Sequence, residues 1–182
     1  MPHHSIDDLI RLFDNRFLNT HNTCLVCCEE EPIYRPADHA FPHHRIIFAH
    51  GFFASALHEI AHWCIAGKER RLQEDFGYWY EPDGRSVERQ AAFEKVEIKP
   101  QALEWIFSVC ADFPFVFSAD NLSGGVGVSA AFQENVHQQV LTYLEKGLPK
   151  DAQAWAKTLL NQYRPQTTLG TLSPCAFEMR RD

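Results

Sequence analysis

Residues 57–67 read LHEIAHWCIAG, with His58 and His62 four apart and Glu59 beside the first. On an α-helix, positions four apart lie on one face, a turn from each other, so both imidazoles can aim at one point. Glu59 sits about 100° round the helix from His58, within reach of a water held by a metal without being a ligand itself. Leu57, Ile60, Ala61, Cys64 and Ile65 make the rest of the stretch apolar and predict a mostly buried helix over about 52–66. Gly67 is placed to cap it, and Lys68, Arg70 and Arg71 suit the negative end of its dipole. Two histidines and a glutamate in so apolar a frame need partners, and a divalent metal supplies them. Core histidines bonded to neighbours are the plainer alternative, but HExxH on an apolar helix favours the metal.

Upstream, residues 5–18 pair Ser5 with Asp8 in the manner of a capping box, and Ile6, Leu9, Ile10, Phe13 and Phe17 recur at helical spacing. Residues 23–28 and 45–49 read as short buried strands, separated by a proline- and acid-rich loop with an edge strand at Ile33–Tyr34. Downstream, Phe76, Tyr78 and Tyr80 alternate as in a strand, and 81–84 turn the chain. Ser86 starts a third helix. Pro100 then either kinks it or opens a new one, and 100–113 read as helical again. Residues 113–118 read as extended and 121–129 as a glycine-rich loop whose spacing fits no phosphate motif. Helices follow at about 130–146, capped by Gly147, and at about 150–163, with an irregular tail over 164–182. The expected fold is α+β: one domain over 1–182, its core roughly 5–163, in which a small sheet backs a helical core that carries the HExxH helix.

Composition narrows the partners. The chain of 182 residues has 45% hydrophobic and 23% charged residues, and its fourteen phenylalanines favour a well-packed core. A net charge of -7 disfavours nucleic acid, and the one basic cluster, Lys68–Arg71, is short and interrupted by Glu69. No signal peptide and no membrane-spanning run is evident, so a cytoplasmic location with reduced thiols is expected. Cys24, Cys27 and Cys28, with His39, His43 and His44 downstream, have ligand types for zinc. Lacking a second paired cluster, they read better as small apolar positions of a buried strand.

Two histidines leave a metal shell incomplete, and a carboxylate from a facing helix is the natural third ligand. Glu88, Glu94 and Glu97 are the candidates. Glu88 falls in a first helical turn, where acids are common for the dipole alone. Glu97 adjoins the apolar positions Phe93 and Val96 and the proline break, and is chosen as ligand; Glu94, one turn earlier, is the alternate. The resulting set of His58, His62 and Glu97 serves a zinc peptidase with Glu59 as general base. It equally serves a non-haem iron oxygenase, or a module with a structural metal, and ligand count does not choose among them.

Three blocks, RIIFAHGFFASALHEIAHWCIAGKERR, DFGYWYEPDGR and FEKVEIKPQALEW, resemble the elongation factor P hydroxylase family, over roughly residues 30–145. The resemblance implies hydroxylation of the β-lysyl-modified lysine of elongation factor P. It also implies a metal held by two histidines, here His58 and His62, and a carboxylate within FEKVEIKPQ. On that basis the metal is ferrous iron with dioxygen as cosubstrate, dependence on a 2-oxo acid is open, and Glu59 orients a ligand or moves a proton. A long cationic substrate chain would need acids, for which Asp75, Glu81 and Asp83 are candidates. It would also need walls, for which Tyr78, Trp79 and Tyr80 are candidates, with His50 nearby. Each of these seven also has an ordinary structural reading.

Overall fold

A computed structural model of the protein describes residues 3–75, 87–118 and 128–178. The strand expected at 76–80, the turn at 81–84 and most of the glycine-rich loop lie outside the described residues. The architecture is α+β. Helix α1 (Ile6–His21) leads into strand β1 (Thr23–Glu29), then β2 (Ile33–Arg35) and β3 (His44–Ala49). Helices α2 (Phe53–Ile65), α3 (Val87–Cys110), α4 (Ala130–Lys146) and α5 (Lys150–Tyr163) follow.

Helix α1 begins where the Ser5 side chain accepts a hydrogen bond from the Asp8 amide, and it ends at Asn22 in the left-handed region. Its buried face is Leu9, Phe13 and Phe17. The sheet order is β1-β3-β2, with β3 parallel to β1 and antiparallel to β2. As the central strand β3 is covered on both sides, and its residues Ile46, Ile47, Phe48 and Ala49 form a continuous apolar run without alternation.

The turn from β3 into α2 sets the direction of the HExxH helix. His50 and Gly51 both take positive φ there, 54° and 69°. A Cβ at Gly51 would meet Cys28 Sγ at 3.3 Å and Cys27 Sγ at 3.5 Å, so the tight turn against β1 favours glycine on two counts. Helix α2 then buries Phe53, Ala56, Leu57, Ile60, Ala61, Trp63 and Cys64. It closes through Ala66 in an extended conformation, its amide bonding the His62 carbonyl, and Gly67 is not among the left-handed residues; the expected glycine cap is replaced by this simpler ending.

Helix α3 runs about 36 Å without a break at Pro100. The proline removes one helical hydrogen bond to the Val96 carbonyl, yet Pro100 and the turns that follow it, through Ala102, Leu103, Ile106 and Phe107, are so deeply buried that packing carries the helix through. Residues 113–118 form no ladder. They are extended in side-chain alternation, with Phe113, Phe115 and Phe117 on the core and Val116 exposed. The Gln101 amide pins their end by bonding both the N–H and the carbonyl of Ser118.

Around α2 the core is aromatic: Phe13, Phe17, Trp63 and Trp155 meet mostly edge to face. The tail past 163 is not excluded from it. Two 3-10 turns, Leu169–Thr171 and Pro174–Phe177, bring Leu172 and Phe177 into the same cluster, with Phe177 fully buried against Trp105. The expectation of a core ending near 163 is corrected accordingly, because burying these side chains offsets the entropy of ordering a segment with little regular structure. Phe177→Ala is expected to lower unfolding free energy by about 3–5 kcal/mol in a denaturant titration; a change near zero would place the tail outside the core.

Candidate metal centre

The site lies between α2 and α3. His58 and His62 project from the same face of α2, and Glu97 projects from the middle of α3. One nitrogen from each ring and one oxygen of Glu97 lie within 4.8 Å of one another, the only such cluster of metal-ligating groups among the described residues. Glu97 Oε1 is 3.1 Å from His62 Nε2, and Oε2 is 3.5 Å from His58 Nε2. Both imidazoles keep 18% of their side-chain surface exposed, whereas Glu97 keeps 5%. The pair is therefore reachable from solvent while the carboxylate forms the floor.

Two features of this geometry fit a cation. The His58 and His62 Nε2 atoms face each other at 3.0 Å, where two lone pairs repel unless a proton or a positive ion lies between them. Glu97 Oε2 is buried without a hydrogen-bond partner, and an orphaned carboxylate oxygen is costly. A divalent ion would satisfy all three at once.

Burial works against ionisation of Glu97, but His62 and then His58, with hydrogen bonds from His62 and Gln101, outweigh it and hold the carboxyl down at about 2. Burial likewise opposes the charge on His58. Glu104 and Glu97 overcome it and raise the imidazole well above its ordinary value. The far side of His58 is engaged as well, since Nδ1 lies 2.7 Å from Glu104 Oε2. Glu104 is itself 5% exposed, and burial pushes its carboxyl up, partly offset by His58.

Of the other residues singled out in the sequence, Glu94 points elsewhere. Its carboxylate accepts hydrogen bonds from the Ser129 amide (3.3 Å) and hydroxyl (2.9 Å) and so ties α3 to the start of α4. Glu59 is half-buried and lines a small cleft of about 40 Å³ together with His62, Tyr34, Ile46, Trp63 and Asp75. Asp75 is held by Arg70 at 3.0 Å and pairs its backbone with Tyr34, so it already has a structural task. Glu81, Asp83, Tyr78, Trp79 and Tyr80 lie outside the described residues, and Glu88 is exposed near the start of α3. His50 belongs to the turn before α2, its ring near Phe52.

Cys24 is a strand residue whose thiol donates to the His44 carbonyl, and the Cys27 and Cys28 side chains lie against each other at the β1 bulge. His43 bonds Asn22, and His44 accepts the Ala37 amide; neither turns to the cysteines.

Glu104 was missed in the sequence. Its signal was present, as an acid between Leu103 and Trp105 in an apolar run, seven residues after Glu97 and so on the same face of the helix. A carboxylate there is costly without a partner.

Known proteins extend this picture. The family model described as elongation factor P hydroxylase matches residues 12–171. The protein named elongation factor P lysine hydroxylase from Haemophilus influenzae (strain ATCC 51907 / DSM 11121 / KW20 / Rd) is 56% identical over 160 residues, covering 88% of this chain and 90% of that protein.

The depressed carboxyl of Glu97 has a consequence in the metal-free protein. A folded-state pKa of about 2 against an ordinary 4.5 adds stability that is fully present above the ordinary value and is lost as pH falls toward 2. Unfolding free energy should therefore fall on acidification through that window, and Glu97→Gln should flatten the fall. An unchanged slope in the variant would mean the carboxylate is not held by the imidazoles.

Proposed function

The chain belongs to the elongation factor P hydroxylase family, and from that premise we propose that it hydroxylates the β-lysyl-modified lysine of elongation factor P at a metal held by His58, His62 and Glu97. The observation that carries the metal is the convergence of two facing Nε2 atoms on a buried carboxylate with an orphaned oxygen. What a ferrous ion adds when bound is redox chemistry with dioxygen, which no side chain of this protein offers. In the net reaction one oxygen atom enters a C–H bond of the lysine, and the other leaves as water with two electrons from a reductant.

The chain's own residues do the rest. His58 and His62 present Nε2 lone pairs fixed by a rigid helix, and Glu97 brings a negative charge that offsets part of the ion's charge. Three protein ligands leave room for small molecules at the ion. The partial exposure of the imidazoles gives a protein-borne side chain access to it. Glu59, beside His62 in the cleft, is placed to orient a group or to hold and move a proton there. Tyr34, Ile46 and Trp63 give that cleft apolar walls suited to lysine methylenes, while Arg70 and Arg71, which also line it, are tied to Asp75 and Asp151. Asp75, neutralised by Arg70, has a smaller part in receiving the substrate amine than its position in the sequence suggested.

The direct test incubates β-lysylated elongation factor P with the iron-loaded protein, dioxygen and a reductant, followed by mass spectrometry of the translation factor. A gain of one oxygen atom on the modified lysine is expected, and His58→Ala or His62→Ala should abolish it while leaving a folded chain. Cleavage of a peptide bond would instead favour the zinc metallopeptidase that the same helix could serve, and oxygen insertion by a metal-free His58→Ala protein would overturn the mechanism.

A second expectation concerns pH. Because neighbouring acids raise His58, a proton competes with the metal for its Nε2. Raising pH removes that proton, so zinc affinity measured by chelator competition should tighten from about pH 6 to about pH 8, with proton release on binding. An affinity flat across that range would contradict His58 as a ligand.

A further inference from the structure

We infer that Glu104 is a positioning residue for the metal centre: by accepting a hydrogen bond from Nδ1–H of His58, it fixes the tautomer and ring plane that aim the Nε2 lone pair at the site. The inference rests on His58, His62 and Glu97 holding a metal, and it adds a fourth residue that never touches the ion.

Three observations carry it. The contact is short, 2.7 Å between Nδ1 and Oε2, and it engages the ring nitrogen that faces away from His62 and Glu97. Neutral imidazole has one N–H and one lone pair, so an acceptor on Nδ1 leaves the lone pair on Nε2. A carboxylate is the strongest acceptor for this purpose, and it also increases the basicity of the ligating nitrogen.

The position of Glu104 also lacks a better explanation. It is 5% exposed and sits among Leu103, Trp105, Ile106 and Phe107, where an apolar side chain would pack at lower cost. It belongs to a buried polar stripe along α3 made of Gln90, Glu97, Gln101, Glu104 and Ser108. Apart from Thr23, these are the buried polar residues of the described chain; they follow helical spacing along α3, and Glu97 and Glu104 among them meet the histidines of α2. Within that stripe Glu97 meets the near side of the imidazole pair and Glu104 the far side of one ring, so α3 grips His58 from both directions.

The test uses the full chain loaded with Zn(II), an ion visible to binding assays and silent in magnetic resonance. Long-range nitrogen–proton correlation spectra of the wild-type protein should show His58 ligating through Nε2, with a strongly downfield, slowly exchanging Nδ1–H. Glu104→Leu should weaken zinc binding by about 10–100-fold and lose that resonance. Glu104→Gln, whose amide oxygen still accepts from Nδ1–H, should keep the resonance and recover most of the affinity. A merely structural Glu104 would lower thermal stability without this split between leucine and glutamine.

Unchanged zinc affinity in a folded Glu104→Leu, or Nδ1 as the ligating atom in the wild type, overturns the inference. The wild-type spectrum and Glu104→Gln decide it even if the leucine variant does not fold. His58→Ala run in parallel separates the two levels. If it keeps wild-type zinc affinity, the metal centre itself is refuted and this inference with it. If it loses zinc while Glu104→Leu does not, only the role of Glu104 falls.

Discussion

A carboxylate buried between two imidazoles, across the contact of α2 with α3, is the constraint on which the rest of this molecule depends. Glu97 has its charge in a place where charge is costly, and the His62 and His58 rings beside it, with a hydrogen bond from Gln101, make that tolerable. The fold supplies the rigidity this needs. β3 delivers α2 through the His50–Gly51 turn, the Phe13, Phe17, Trp63 and Trp155 rings support its back, and Glu94 anchors α3 to the start of α4. Position is therefore set by parts of the chain that touch no ligand.

The same contact could hold either a proton or a metal. Two ring nitrogens 3.0 Å apart, an unsatisfied carboxylate oxygen and a second glutamate behind His58 form a cluster whose acids outnumber its certain positive charges. Without a metal, a proton on His58 meets part of that need, which is why its affinity for a proton is raised. A divalent ion meets it more completely, because one charge centre can face all three donors together. The geometry thus suits a cation by electrostatics before any property of the ion's chemistry enters.

Much of this was legible in the sequence, and the parts that were not share a cause. The HExxH helix, the capped α1, the short buried strands and the two closing helices announce themselves through local periodicity and caps. Pro100 reads as a break because local rules see a missing hydrogen bond; burial of the proline and of the turns after it, a tertiary effect, lets the helix continue. Gly67 reads as a cap, yet the helix closes one residue earlier through Ala66. Glu94 and Glu97 lie one turn apart and look interchangeable until Ser129, thirty-five residues from Glu94, claims the first. Phe177 and Glu104 were passed over because the one sits in a segment without periodicity and the other matters only through a residue on a different helix.

The most direct measurement is a crystal structure of the protein prepared anaerobically with Fe(II), with diffraction recorded on either side of the iron absorption edge. A single anomalous peak bounded by His58 Nε2, His62 Nε2 and the Glu97 carboxylate is the predicted result. Iron located elsewhere, or no peak there at saturating Fe(II), would contradict the account at its centre.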